Sequence, residues 1–205
     1  MVFYQQFACG QLGTNCYVVY DETKRCVIVD GDGDGQAVMD FIRREGLTCE
    51  MILLTHAHFD HIGAAQAFKR AYGCDICLGA LDADLLGDPW RNLSAMMGEP
   101  FGFAADRLFQ DGDTFTVGTM HFTVLLTPGH TQGSVCYVVD TLLLSGDTLF
   151  AGSCGRMDFP TGSQAQMSQS LRRLAALDGD YTVLPGHEGS TTLSRERRVN
   201  PYLLD

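Results

Sequence analysis

Three histidines and an aspartate fall within six positions of one another: His56, His58, Asp60 and His61, at the end of the apolar run Met51 to Thr55. Imidazole nitrogens and carboxylate oxygens are the donor set that suits zinc or iron. His56 and His58 are two apart, so in extended chain they point to one face and can grip a single ion. Asp60 and His61 open a segment, 62–72, whose Ile62, Ala65, Phe68 and Tyr72 predict a helix with one apolar stripe. A strand-to-helix junction there can turn the second pair of donors toward a neighbouring position.

Three later segments carry the same residue types: Thr127-Pro128-Gly129-His130-Thr131, then Ser145-Gly146-Asp147-Thr148-Leu149-Phe150, then Pro185-Gly186-His187. Each follows an apolar strand-like run, and α/β proteins place their ligands in loops beyond strand ends. Together with the His-x-His-x-Asp-His run, these segments resemble the metallo-β-lactamase superfamily through almost the whole chain. The resemblance implies an α/β fold, a four-layer αβ/βα sandwich with two mixed β-sheets face to face and helices on the outside, with residues 1–205 as a single domain. It implies two divalent metal ions, zinc first and iron or manganese as alternatives. His56, His58 and His130 would hold one ion, Asp60, His61 and His187 the other, and Asp147 would bridge them. Asp60 would also be catalytic, orienting a hydroxide shared by the ions and accepting its proton. In the resembling family an aspartate at the place of Asp30 supports the metal loop by hydrogen bonding; a plain turn residue at a strand end is the other reading of Asp30.

Gly152-Ser153-Cys154-Gly155-Arg156-Met157-Asp158-Phe159-Pro160 and the segment Arg195 to Tyr202 resemble short glyoxalase II-like (hydroxyacylglutathione hydrolase-like) hydrolases. That implies cleavage of a small-molecule thioester of the S-2-hydroxyacylglutathione type, such as S-lactoylglutathione. A thiol pKa near 8.5 lets the thiolate leave unprotonated, so no separate general acid is required. The first of these segments equally resembles persulfide dioxygenases, which would use one iron on His56, His130 and Asp147. A lactonase or another small carboxylic-ester hydrolase follows: acyl-homoserine lactonases place a tyrosine three positions after the bridging aspartate, where this chain has Phe150. True β-lactamases commonly carry a cysteine at the place of Asp147 and are exported. The stretch after His187 is too short for the basic helical domain with which full-length glyoxalase II grips glutathione, so the thiol carrier stays open. Arg156 either contacts a substrate carboxylate or pairs with Asp158 to fix its loop.

The elements that must position these residues read in order. Strands cover 2–30, with a turn at 21–25; a helix at 36–45 buries Val38, Phe41 and Ile42 and stops at Gly46. A strand near 74–79 and a helical stretch at 81–86 lead to the apolar pieces 92–97, with two methionines, and 101–103, which read either as a lid or cavity wall over the metals or as a loop tucked on the core. Strands return over 106–126, turning at Asp111 to Asp113, and again at 134–139 and 142–144. A helix over 164–177, opened by a Ser163/Gln166 capping box, precedes a last strand at 181–184. His121 stands in a strand with no motif around it and reads as an ordinary histidine.

Composition excludes several classes. The chain has 205 residues and a formal charge of −11, which argues against nucleic-acid binding, since that needs a basic footprint. No window approaches the roughly 20 apolar residues that span a bilayer. The start has no basic flank or cleavage site, so a cytoplasmic location is expected. There most of the eight cysteines should be free thiols, Cys16, Cys26 and Cys136 acting as small apolar residues. The Cys74/Cys77 spacing reads as structural, and Cys154, near the metal motifs, reads as an ordinary buried thiol before a reactive one.

Overall fold

The middle strands of the first sheet are buried on both faces, which is why Cys16 to Val19 and Cys26 to Val29 read as continuous apolar runs. The computed structural model describes residues 1–204. In it β1 (Val2–Cys9), β2 (Thr14–Asp21), β3 (Arg25–Val29), β4 (Thr48–Leu53), β5 (Asp75–Gly79) and β6 (Arg107–Phe109) line up in that order. β1 to β3 pair antiparallel, whereas β3 to β6 pair parallel. The chain then crosses to a second sheet through β7 (Thr114–Val117), β8 (Met120–Leu126), β9 (Val135–Val139) and β10 (Leu142–Gly146). A detached hairpin follows, β11 (Leu149–Phe150) with β12 (Ser153–Cys154), before β13 (Thr182–Pro185) and β14 (Thr191–Thr192) return to that sheet. Its order is β14-β13-β10-β9-β8-β7, parallel between β10 and β13 and antiparallel elsewhere.

Alternation along each strand divides the core into layers. Tyr17, Val19, Val27 and Val29 face the second sheet and meet Phe122, Val124, Tyr137 and Leu144. The intervening Cys16, Val18, Cys26 and Ile28 face outward, under α1 (Gln36–Glu45), with α2 (Phe59–Ile62) and α3 (Ala65–Tyr72) beyond β4. α4 (Ala83–Gly87) follows β5, and α5 (Gln164–Ala175) covers the second sheet with Met167, Leu171 and Leu174 on Cys136, Leu143 and Val183. α6 (Leu193–Val199) and α7 (Pro201–Leu204) close the chain. The result is the two-sheet α/β sandwich with outer helices expected from the sequence. No helix of the described residues is long and apolar enough to cross a membrane.

α1 has the expected bounds, with Gly46 as its left-handed C-cap, and Ser163 Oγ accepts from Gln166 N–H at the start of α5. The single helix expected over 62–72 is instead two pieces. α2 already starts at Phe59, and Gly31 interrupts the ladder: its N–H donates to the His61 carbonyl at 3.0 Å and its carbonyl accepts from Ala64 N–H at 3.0 Å. The break places Asp60 and His61 in a short first turn anchored on the loop after β3. The thiols are all buried and unpaired, the Sγ atoms of Cys49 and Cys74 lying 3.8 Å apart. His121 is exposed, in contact with Thr116 Oγ1 at 3.0 Å.

Candidate metal centre

Four loops at one end of the sheets bring the seven predicted residues together. His56 and His58 follow β4, Asp60 and His61 lie on α2, His130 lies between β8 and β9, Asp147 follows β10 and His187 follows β13. They form three overlapping groups able to hold an ion: His56, His58 and His130; His56, His61 and Asp147; Asp60, His61 and His187. Asp147 stands between the others. Its Oδ1 is 3.5 Å from His61 Nε2, and its Oδ2 is 3.5 Å from His130 Nε2 and 3.6 Å from His187 Nε2. His187 Nε2 is 3.2 Å from Asp60 Oδ2. Two glycines of the motifs permit this approach. A Cβ on Gly146 would stand 2.4 Å from Thr55 Oγ1, and one on Gly186 would stand 2.2 Å from Asp147 Oδ1.

The hydrogen-bond partners assign the ring tautomers and so test the fit to cations. His130 Nδ1–H donates to the Arg156 carbonyl at 2.7 Å, so its Nε2 is a lone pair that faces His58 Nδ1 at 2.9 Å and leaves His58 Nε2 without a partner. His61 Nδ1–H donates to Asp30 Oδ2 at 2.9 Å, which turns Nε2 toward Asp60 and Asp147. Thr55 Oγ1 gives its proton to Asp30 Oδ2 at 2.7 Å, so it accepts from His56 Nδ1–H at 3.1 Å, and His56 Nε2 is bare. That His56 nitrogen and Asp147 Oδ1 are buried with no hydrogen-bond partner. Bare nitrogens and carboxylate oxygens aimed at one another repel unless a proton or cation lies between them. Such a set fits divalent ions, with His56, His61 and His130 each having its outer nitrogen fixed by a second residue.

Charge follows the same geometry. Burial, then the neighbouring His61 and His130, hold His56 well below the usual imidazole range. Burial, then His130, brings His58 down to about 3. Burial acts downward on His61 too, but Asp60, Asp147 and Asp30 outweigh it and put that ring up at about 10. Burial pushes the Asp60 carboxyl up, and the His61 charge and the His187 hydrogen bond overcome it, so Asp60 stays an anion. Divalent ions would take over the balancing of these carboxylates.

The supporting residues are partly new. Asp30, at φ 56°, accepts from Thr55 N–H at 2.7 Å as well as from the Thr55 hydroxyl and His61, which is the supporting role rather than a bare turn. Asp82 is fully buried and accepts from Ala57 N–H (3.1 Å), the Thr131 hydroxyl (2.7 Å) and Gly133 N–H (2.8 Å), tying the His56–His58 loop to the His130 loop. Thr14 Oγ1 donates to Asp60 Oδ2 at 3.0 Å. Asn15 and Tyr17 hold the carbonyl of Pro185, two residues before His187, at 2.9 and 2.8 Å. Sequence reasoning passes over Asp82, Thr14, Asn15 and Tyr17, whose only signal is a polar side chain next to an apolar run.

A cavity of about 510 Å³ opens over the centre. Leu93, Met96 and Met97 line it, so the segment expected as a wall or a core loop forms a wall, with Leu12, Phe59 and Phe159 beside it. Arg156 lines it too, but both carboxylate oxygens of Asp158 engage its guanidinium at 2.7 Å, and the guanidinium carbon lies 4.0 Å from the centre of the Phe159 ring. Cys154 also reaches the cavity, and burial pushes its thiol up to about 11, away from a reactive thiolate.

Comparison with known proteins bears on this centre. A family model described as the Metallo-beta-lactamase superfamily matches residues 9–187. A hydroxyacylglutathione hydrolase of Haemophilus influenzae is 33% identical over 196 residues, covering 92% of this chain and 92% of that protein. Among solved structures, the BLEG-1 B3 metallo-beta-lactamase superposes with a TM-score of 0.94 at 37% identity, covering 99% of this chain and 100% of that one. TTHA1623 in a di-iron-bound form superposes with a TM-score of 0.86 at 32% identity, covering 97% and 100%.

Proposed function

Because this chain belongs to the metallo-beta-lactamase superfamily, we propose that its candidate centre makes it a metal-dependent hydrolase of acyl thioesters of the S-lactoylglutathione type. One observation carries the reading: seven donor side chains converge beneath a cavity, with His56 Nε2, His58 Nε2 and Asp147 Oδ1 buried and without a hydrogen-bond partner. Divalent ions held there, zinc or else iron or manganese, supply Lewis-acid polarisation of a carbonyl and a water acidic enough to be deprotonated near neutral pH. Two such ions accord with TTHA1623, whose form is di-iron-bound. His56, His58 and His130 form one holding position, Asp60, His61 and His187 the other, and Asp147 reaches both.

The remaining steps belong to the protein. Asp60 lines the cavity as an anion, fixed by the Thr14 hydroxyl, and takes the proton of the attacking water at its carboxylate. The hydroxide oxygen adds to the thioester carbon, the carbon–sulfur bond breaks with its electron pair leaving on the thiolate, and the carboxylic acid formed gives its remaining proton to solvent. The thiolate needs no proton to leave. Phe59, Met96, Met97 and Phe159 give the cavity an apolar wall. Arg156, spoken for by Asp158, shapes that wall; a substrate carboxylate reaches it only as a third partner. A cytoplasmic location belongs to the same reading, which is consistent with eight unpaired buried thiols.

Thiol release from S-lactoylglutathione by protein loaded with zinc, iron or manganese tests this. No turnover with any of the three refutes it. The likeness to BLEG-1 favours β-lactam ring opening as a second reading, in which the same centre attacks an amide; hydrolysis of a chromogenic cephalosporin in the absence of thioesterase activity would select it. A one-iron persulfide dioxygenase would need only His56, His130 and Asp147. Those residues belong to the same set, so oxygen uptake with glutathione persulfide and one iron per chain would select that reading.

A further inference from the structure

The segment Arg195 to Tyr202 lies outside the candidate centre, yet two of its polar side chains, Glu196 and Asn200, are 0% exposed. Both reach the β11–β12 hairpin. Glu196 Oε2 accepts from Gly152 N–H at 2.7 Å and from Asn200 Nδ2 at 3.0 Å, while its Oε1 accepts from the Thr191 hydroxyl at 2.7 Å. Asn200 Nδ2 also donates to the carbonyls of Phe150 (3.3 Å) and Ser153 (3.0 Å). A hairpin with two residues per strand has too little ladder to hold its shape in water, and β11 and β12 pair with neither large sheet. Its backbone groups are satisfied from the C-terminal helix instead. Burying a carboxylate is costly unless its lone pairs are filled, and Glu196 fills them with Gly152, Thr191 and Asn200 while the Arg195 guanidinium pairs with its Oε1.

The hairpin lies between parts of the centre. Asp147 stands just before it, and Phe150, Ser153 and Cys154 line the cavity. The Phe150 ring is edge-on to His187 at 6.3 Å. Just after the hairpin, the Arg156 carbonyl orients His130. We propose that Glu196 and Asn200 are positioning residues, which hold the 149–154 hairpin from the C-terminal helix as the wall against which the substrate is seated. The inference depends on the hydrolase reading for the identity of the substrate, and the hairpin's rigidity is measurable without it. Asp147 and His130 keep other anchors: Gly186 N–H donates to the Gly146 carbonyl at 2.9 Å, and Thr131 is tied to Asp82. Loosening the hairpin therefore acts on substrate seating before it acts on the centre.

Glu196→Gln keeps the side-chain shape but turns an amide NH₂ toward a donor, Gly152 N–H or Asn200 Nδ2. Asn200→Ser removes the bridge to Phe150 and Ser153. Both variants, zinc-loaded, are compared with the parent by hydrogen exchange over 149–154, by kinetics on S-lactoylglutathione and by calorimetry with the non-hydrolysable S-acetonylglutathione. Expected are faster exchange of the hairpin, KM raised about fivefold or more and kcat within about twofold. A role in fold stability alone lowers the melting temperature and leaves KM where it was. Unchanged exchange, or KM within about twofold of the parent in a folded variant, overturns the inference. If the parent hydrolyses no thioester, the proposed function fails; faster exchange together with weaker binding of the thioether in the variants still supports the wall, and unaltered binding overturns it.

Discussion

Asp30→Asn should weaken metal binding without unfolding the protein, and the reason can be followed atom by atom. Asp30 Oδ1 accepts from Thr55 N–H, and Oδ2 accepts from both the Thr55 hydroxyl and His61 Nδ1–H. An asparagine keeps one oxygen, and Asn tolerates the left-handed φ of 56°. If that oxygen stays on Thr55 N–H, the new NH₂ faces two donors. His61 must then present a bare Nδ1 and carry its proton on Nε2, the atom that points at Asp60 and Asp147. The Thr55 hydroxyl, no longer held by a carboxylate, becomes free to donate to His56 Nδ1, which allows His56 the same unproductive tautomer. Disrupting an outer partner of this kind costs about 10–100-fold in metal affinity, or about 1.4–2.7 kcal/mol. Zinc competition against a chelator of known affinity reads the change, and circular dichroism checks the fold. Asp34→Asn is the control: it makes the same charge change in the same loop, where Asp34 only accepts from Gln36 N–H at the start of α1, and it should leave affinity unchanged. Asp30→Asn binding zinc as tightly as the parent at every site would refute the tautomer argument.

Asp60→Asn should lower kcat on a thioester by about 10²–10⁴-fold, the range for loss of a general base, read by stopped thiol-release assays with the metal content measured in parallel. Phe68→Ala empties a fully buried site beneath the loop after β3 and should cost about 3–5 kcal/mol in urea unfolding. Asp21, nearly inaccessible, accepts from the Thr23 and Thr119 backbone and hydroxyl groups and so ties the β2–β3 turn to the β7–β8 turn. Burial pushes its carboxyl up, but these donors hold it below the usual range. With the folded pKa depressed, its stabilisation is fully present above the ordinary carboxylate value near 4 and is lost as pH falls through the folded value. Asp21→Asn should accordingly flatten the acid limb of the unfolding curve and cost about 1–3 kcal/mol at neutral pH from donors left unpaired. An unchanged acid limb in that variant would count against the assignment.

The part of the centre that was legible in the sequence and the part that was not differ in a physical way. His56, His58, Asp60 and His61 are neighbours along the chain, and His130, Asp147 and His187 each follow an apolar strand, so residue type and local spacing are enough to single them out. Their supports are ordinary polar residues that acquire meaning only through distant pairing. Asp82 lies 25 positions from Ala57, Thr14 lies 46 from Asp60, and Asn15 lies 170 from Pro185. Nothing local separates Asp82 from Asp84 or Asp88, yet only Asp82 is turned inward to serve both histidine loops. The helix expected over 62–72 divides for the same reason: its interruption comes from Gly31, a loop residue outside the periodic segment.

The same distinction explains why the chemistry is easier to read than the substrate. A metal centre demands particular elements within a few ångströms, and few side chains supply them. The cavity wall demands only shape and apolarity, which leucine, methionine and phenylalanine supply interchangeably. Leu12, Phe59, Met96, Phe150 and Phe159 arrive from separate loops, and no short stretch of sequence announces that they meet. The charges at that wall follow the same logic. Arg156 looks like an anion receptor in the sequence, but Asp158, two residues on, already occupies its fork. If this pairing sets the carrier preference, Asp158→Asn should free the guanidinium and lower KM for a glutathione thioester by several-fold while leaving kcat unchanged. A KM that does not move would mean that the carrier's carboxylates lie elsewhere, and that the pair serves the loop alone.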